Sequence, residues 1–290
     1  MKTILITGSD GQLGQELQGL SFTHTYRDYK FFHTDIDTLD ITDRDQVRRF
    51  IAKNRVAYII NCASYTNVDK AESEQETAML VNGKAPGVLK EACADNNAHL
   101  LHISTDFVFD GRRSVPYRED HSPNPLSFYG KTKLEGEKAV LNYEYGAVIR
   151  TSWLYSSYGN NFFRTILRHG ADKDELNIVY DQVGTPTYAR DLARVLLTLA
   201  VNTLSGEKNC GGQIFHYSNE GVCSWYDFAF EIVRLAGLQC RINPIESSQY
   251  FLPAKRPHFS VLNKTKIKSY LSIDIPHWRD SLKSCMDQLD

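Results

Sequence analysis

The chain lacks any run of about 18 consecutive apolar residues, so no membrane-spanning helix is expected. It also lacks an excess of either charge. The formal net charge is −2, which gives no strong overall field for nucleic acid or a membrane surface. The cysteines Cys62, Cys93, Cys210, Cys223, Cys240 and Cys285 form no C-x-x-C and no paired metal-ligand spacing. Reduced, mostly buried thiols and no metal site are therefore expected. The apolar run between Met1 and Gly8 is too short for a signal peptide and leads straight into glycines, which points to a cytoplasmic protein. Internal repeats and low-complexity segments are absent as well. What is present is an ordinary globular mix, 42% hydrophobic and 23% charged. Its 290 residues suit one large or two smaller domains.

Thr3–Thr7 is a β-rich apolar run that reads as a buried parallel strand. It ends in Gly8-Ser-Asp-Gly11-Gln-Leu-Gly14, and a helical pattern follows. Glycines at three-residue steps permit a tight turn, close backbone approach to a pyrophosphate, and close helix–strand packing. The helix N-terminus adds free N–H groups and partial positive charge. Gly8, Gly11, Gln12, Leu13 and Gly14 are the resulting cofactor candidates. A second strand, Tyr29–Thr34, is followed by Asp35, 21 residues after Gly14. A carboxylate near that offset accepts hydrogen bonds from the adenine ribose and repels a 2′-phosphate, which leans towards NADH. Asp37 competes for this role, and either residue also reads as a solvated loop carboxylate.

Asp43 is placed to cap a helix running to about Lys53. Val56–Ile60 reads as a third strand, and small residues just past it (Cys62, Ala63, Ser64) let the backbone approach a cofactor. A long helix from about Ser73 to Asp95 and a fourth strand, Ala98–Ser104, continue the alternation. The fold class is α/β, with a Rossmann-type doubly wound parallel sheet.

Ligands of such sheets sit outside the carboxyl ends of strands. Thr105, at the fourth strand's end, can hydrogen-bond a substrate oxygen there, or simply cap a turn. After a proline-bearing loop, Ser127 caps a helix that carries Tyr129 and Lys133 on one face. An ammonium one turn from a phenol lowers the phenol's pKa, so the pair reads either as a proton donor tuned towards neutral pH or as two unrelated surface residues. Tyr26 and Lys30 share the spacing but precede a strand, away from the crevice. Tyr145–Arg150 is a fifth strand. Beyond about residue 155 the rhythm is lost. Helices are expected at Phe162–His169, Ala189–Val201, Ser224–Ala236 and His277–Gln288, with strands at Leu176–Tyr180 and Gln213–Tyr217. The expected division is a dinucleotide-binding domain at 1–155, with returns within 156–218. A smaller, discontinuous substrate-binding part lies within 156–290.

The glycine loop, Ser104-Thr-Asp106 and Tyr129-Gly-Lys-Thr-Lys133 together resemble the extended branch of the short-chain dehydrogenases/reductases. The strings Asn61-Cys-Ala-Ser-Tyr-Thr-Asn-Val-Asp-Lys-Ala-Glu72, Ser104-Thr-Asp-Phe-Val-Phe-Asp-Gly111, Arg150-Thr-Ser-Trp-Leu-Tyr155, Asp181-Gln-Val-Gly-Thr-Pro-Thr187 and Arg256-Pro-His-Phe-Ser260 resemble, more narrowly, the dTDP-4-dehydrorhamnose reductases. That resemblance implies reduction of the C4 ketone of a dTDP-4-keto sugar by NADPH or NADH. Tyr129 would donate the proton and Thr105 would hydrogen-bond the same oxygen. Lys133 would hold the nicotinamide ribose and lower the Tyr129 pKa. Asp40 and Ile41 would contact the adenine. Asp106, Val108 and Asn161 would line the nucleotide-sugar pocket. Trp153 would wall the sugar, or else be a packed tryptophan. Arg256 would pair with the diphosphate, or else sit exposed on a loop.

Asp35 leads to an expectation of measurable NADH use. The expected partner is a nucleotide-sugar substrate, with no nucleic acid and no membrane, and the resemblance allows a homodimer. A related epimerase or dehydratase is an alternative. However, a dehydratase of this kind carries Asp-Glu after the threonine, and here Asp106-Phe107 follows Thr105. A non-catalytic NADP(H)-binding subunit is another alternative, and it would not need to keep Thr105, Tyr129 and Lys133.

Overall fold

The first half of the chain alternates apolar strands with helices. β1 (Lys2–Thr7), α1 (Gln12–Ser21), β2 (Tyr29–Thr34), α2 (Arg44–Asn54) and β3 (Val56–Asn61) come first. Next are α3 (Gln75–Ala78), α4 (Ala85–Asn96), β4 (His99–Thr105), α5 (Phe128–Leu141) and β5 (Gly146–Thr151). The second half contains β6 (Leu154–Tyr155), α6 (Phe162–Asp172), β7 (Glu175–Val179), β8 (Val183–Gly184), β9 (Thr187–Tyr188) and α7 (Ala189–Ser205). It closes with β10 (Ile214–His216), β11 (Cys223–Ser224), α8 (Trp225–Leu235), β12 (Arg241–Ile245), α9 (Thr265–Leu271) and α10 (Trp278–Met286). The structure, a computed structural model, describes residues 1–289; residue 290, the last of the expected substrate-binding part, lies outside the described residues.

A six-stranded sheet runs β10-β5-β4-β3-β1-β2, and every pairing in it is parallel. The order reverses between β1 and β3, so a crevice opens at their carboxyl ends. Successive strand residues point to opposite faces. Ile4 and Ile6 join Leu17, Leu192 and Leu196 on the α1–α7 face, while Leu5 joins Val47, Leu89 and Val148 on the other. A third apolar cluster, around Phe163, Phe228, Ile232 and Trp278, lies among α6, α8 and α10. β10 pairs in parallel with β5 at the sheet's edge.

The helix expected over Ser73–Asp95 is broken. Met79–Lys84 forms a π-helical turn between α3 and α4. Pro86 has no N–H to send back to the Asn82 carbonyl, so regular α-helical bonding cannot pass that point. β12, which pairs in parallel with β7, and α9 were not anticipated. Among the described residues no helix is long and apolar enough to cross a membrane.

Candidate active site

The glycine loop closes one side of the crevice. Gly8 has φ +67°, and a Cβ there would lie 2.5 Å from the Ala63 nitrogen. A Cβ on Gly14 would lie 2.3 Å from the Gly8 carbonyl oxygen. Both positions therefore exclude a side chain, and the turn after β1 sits directly against the segment after β3. Gly11 is the N-cap of α1 and offers no side-chain capping bond, so no side chain competes for the first-turn N–H groups. Leu13 is buried in the core, which leaves only its backbone for a ligand. Gln12 accepts from Asn161 Nδ2 at 3.2 Å and donates to the Leu154 carbonyl at 3.3 Å. Asp35 Oδ2 accepts from the Asp10 N–H at 2.9 Å, so the carboxylate at the end of β2 fastens the glycine loop. Asp37 is exposed. Asp40 Oδ1 accepts from the Thr42 N–H and hydroxyl. Ile41 is 6% exposed and packs among Leu39 and Val47, so its side chain is not free for adenine and only its backbone is available.

Across the crevice, Ser127 accepts from the Gly130 N–H and starts α5. A Cβ on Gly130 would lie 2.3 Å from the Phe107 carbonyl oxygen. The missing side chain lets α5 press onto the segment that follows β4, bringing Tyr129 beside Thr105 and Asp106. The Tyr129 ring meets Phe107 edge-on, with centroids 5.7 Å apart. Thr105 donates to Asp106 Oδ1 at 3.1 Å. Lys133 is buried, and its Nζ donates to the Ile103 carbonyl at 2.6 Å and to Ser64 Oγ at 3.5 Å.

Desolvation dominates the electrostatics here. It pushes the Tyr129 phenol above its ordinary value; the Thr105 side chain opposes this and the Asp106 charge adds to it. The expected lowering of the Tyr129 pKa by Lys133 is therefore corrected. Burial wins, and the ammonium is turned towards the Ile103 carbonyl. Burial also lowers Lys133 to about 8, with the Glu137 carboxylate and, after it, Cys62 acting the other way. It raises Asp106 to about 6, with side-chain and backbone hydrogen bonds opposing. Asp106 Oδ2 is buried with no hydrogen-bond partner among the described residues. The Cys62 thiol is pushed up to about 12.

Beyond Phe107 lies a cavity of about 350 Å³, walled by Trp153, Phe162, Trp225, Asp69 and Arg256 among others. Trp153 and Trp225 stack with centroids 3.6 Å apart and planes 8° from parallel. Trp153 has φ +48°, a left-handed backbone unusual for a bulky residue, and a Cβ on Gly184 would lie 2.6 Å from its ring. Arg256 is in the cavity wall rather than on an exposed loop, and it forks onto Asp69 at 3.1 and 2.7 Å.

One expected pocket residue, Val108, is corrected. Val108 is fully buried and packs with Phe109, Tyr117 and Leu262, because the 3₁₀ turn over Asp106–Val108 sends it into the core. Asn161 is the N-cap of α6, and its amide donates to the Ser156 and Tyr158 carbonyls. Sequence reasoning missed Trp225, Phe107, Asp69 and Asn82. Asn82 sits in the π-helical turn, accepts from Ser64 Oγ and the Tyr65 N–H, and donates to the Tyr65 carbonyl. Its only sequence signal was a polar residue inside a helical pattern.

A glycine turn on one side of the switch point, faced by a Tyr–Lys helix on the other, places the chain among the extended short-chain dehydrogenases/reductases. Comparison with known proteins narrows the class. The family model described as "RmlD substrate binding domain" matches residues 1–290. A dTDP-4-dehydrorhamnose reductase of Aggregatibacter actinomycetemcomitans is 40% identical, over 98% of each chain. A crystal structure of a dTDP-4-dehydrorhamnose reductase from Clostridium acetobutylicum superposes with TM-score 0.92 at 42% identity, covering 99% of both chains. One from Bacillus anthracis, in complex with NADP, has TM-score 0.91 at 34% identity and covers 100% of both. The chain belongs to the dTDP-4-dehydrorhamnose reductase family.

Proposed function

We propose that this chain reduces the C4 ketone of dTDP-4-dehydro-β-L-rhamnose to give dTDP-β-L-rhamnose, with NADPH or NADH as reductant. The observation that carries the reading is the meeting of Tyr129 and Thr105 between the glycine turn and the aromatic cavity. The residues fit a dinucleotide: Gly8 and Gly14 leave no room for a side chain, and the α1 N-terminus has no side-chain cap. When bound, the cofactor supplies a hydride to C4.

Negative charge then grows on the ketone oxygen. Tyr129 donates its proton there, and its raised pKa means the proton is present at neutral pH. Thr105 turns its hydroxyl from Asp106 to the same oxygen and stabilises the charge as it develops. Lys133 holds the nicotinamide ribose. Asp35 binds the adenine ribose and supports measurable NADH use. Trp153 and Trp225 wall the sugar, and the diphosphate competes with Asp69 for Arg256. In this reading residues 1–155 with β10 form the cofactor half, and α6, α8 and α10 belong to the substrate half. The reading includes a cytoplasmic location and allows a homodimer, which light scattering would decide.

The test is cofactor oxidation with a panel of dTDP- and UDP-4-keto sugars, run with both NADPH and NADH. Turnover is expected with the dTDP-4-keto-6-deoxy sugar. Tyr129→Phe should lower kcat by about 10²–10⁴ while cofactor affinity is kept. Undiminished turnover in that variant would sink the proton-donor assignment. An NADPH preference above about a hundredfold, some 2.7 kcal/mol, would sink the reading of Asp35.

A further inference from the structure

Behind the catalytic pair, α5 carries one more polar side chain on the same face. Glu137 lies four residues past Lys133 and is 1% exposed. Its Oε1 accepts from Arg150 Nε at 2.8 Å and from the Ser104 hydroxyl, and its Oε2 accepts from Arg150 Nη2 at 2.7 Å. Arg150, on β5, is 2% exposed and reaches His216 Nε2 on β10 at 3.3 Å. His216 Nδ1 lies 3.1 Å from the Tyr117 carbonyl, so Nδ1 carries the proton and Nε2 accepts from Arg150. Arg150 therefore donates both ways, to Glu137 and to His216, and His216 donates onward to the Tyr117 carbonyl. Ser104 immediately precedes Thr105, so the same carboxylate fastens α5 to the strand that presents the second hydroxyl of the site.

We propose that Glu137 is a positioning residue for this site: it locks α5 onto β4 and β5, and it supplies the negative charge one helical turn from the Lys133 ammonium. The surroundings of Lys133 support the second role. Glu137 faces it from α5, where Tyr129 stands one turn the other way, Cys62 and Ser64 from the segment after β3, and His102 from β4. Tyr129 and Cys62 are held as neutral acids by burial, and His102 is held neutral by burial and by the Lys133 charge itself. That leaves the Glu137 carboxylate to favour the ammonium against its own desolvation. An ion pair with a merely structural purpose could be replaced by apolar residues of similar shape without loss. It would also leave the titration of Lys133 unaltered.

The inference rests on Lys133 serving the site as read above, so the test begins without cofactor or substrate. The Lys133 Cε resonance is followed by NMR through an alkaline titration of the full chain carrying ¹³C-lysine, and assigned by its absence in Lys133→Arg. The wild-type midpoint is expected at about 8. In Glu137→Gln it should fall by at least about half a unit, because a favourable charge is gone and Arg150 is left uncompensated. In Glu137→Met/Arg150→Leu, which removes the pair together and keeps the fold if the single variant does not, it should still fall, by less. Ser104→Ala, which keeps the ion pair, should leave it in place. The alkaline limb of kcat/KM should move with the midpoint. An unmoved midpoint in the double variant overturns the proposal, whatever the substrate proves to be. A moved midpoint without turnover on any 4-keto sugar supports Glu137 and faults the substrate reading instead.

Discussion

Gly14→Ala tests the cofactor reading most directly. The added methyl would sit 2.3 Å from the Gly8 carbonyl oxygen, 2.5 Å from Ser9 Cα and 2.6 Å from the Ser9 carbonyl carbon. All three are backbone atoms, so no side chain can swing away. Ordinary contact begins near 3.4 Å, so the start of α1 must retreat from the turn by about 1 Å. Overpacking of this kind costs about 1–3 kcal/mol of stability. The larger effect falls on the ligand, because the displaced N–H groups are those offered to the pyrophosphate. A hydrogen bond to a charged group is worth about 1.5–3 kcal/mol, and losing one raises Kd by about tenfold to a hundredfold. Titration of NADPH fluorescence gives Kd, and thermal melting gives stability separately. Gly19→Ala is the matched control. It lies on the exposed side of the same helix with nothing within 4 Å, and it should stabilise by about 0.5–1 kcal/mol and leave Kd unchanged. A folded Gly14→Ala protein that binds NADPH as well as wild type would refute the placement of the pyrophosphate.

Asp106 should make stability depend on pH. Its folded value of about 6 lies above the ordinary 3.8, so between these values the native state holds a proton that the unfolded chain has lost. Stability from this group is therefore full below about pH 4 and falls by at most about 3 kcal/mol as pH rises towards 6. Asp106→Asn should flatten that slope in urea melts, and an unchanged slope would assign it elsewhere. Trp225→Ala removes the partner stacked on Trp153 at 3.6 Å. Aromatic pairs are worth about 0.5–1.5 kcal/mol, so KM for the nucleotide sugar should rise by up to about tenfold, with NADPH affinity unchanged. An unaltered KM would remove Trp225 from the sugar wall.

The strands and glycine turns of the first half were legible because a sheet buried on both faces writes continuous apolar runs, and glycines mark where backbone must approach backbone. The second half was less so. β6, β8, β9 and β11 are two residues each, too short for any period, and β12 carries Pro244, which argues against a strand in isolation. The Arg256–Asp69 pair spans 187 residues, and no local pattern announces such a contact. Val108 was misplaced by adjacency: it stands two residues from Asp106, but a 3₁₀ turn separates their directions.

The pairing of Tyr129 with Lys133 was legible and its electrostatics were not, for one physical reason. Spacing reports which groups are neighbours, whereas burial decides their charge. Tyr129, Lys133 and Asp106 all shift towards their neutral forms, and desolvation is the leading cause for each. A site that dry has few charges left to set its field, so each one that survives counts for more than it would in water. Glu137 and Arg150, 1% and 2% exposed, form a buried ion pair. On the proposal above, the charge that opposes the desolvation of Lys133 comes from a carboxylate that faces no ligand, one helical turn behind it.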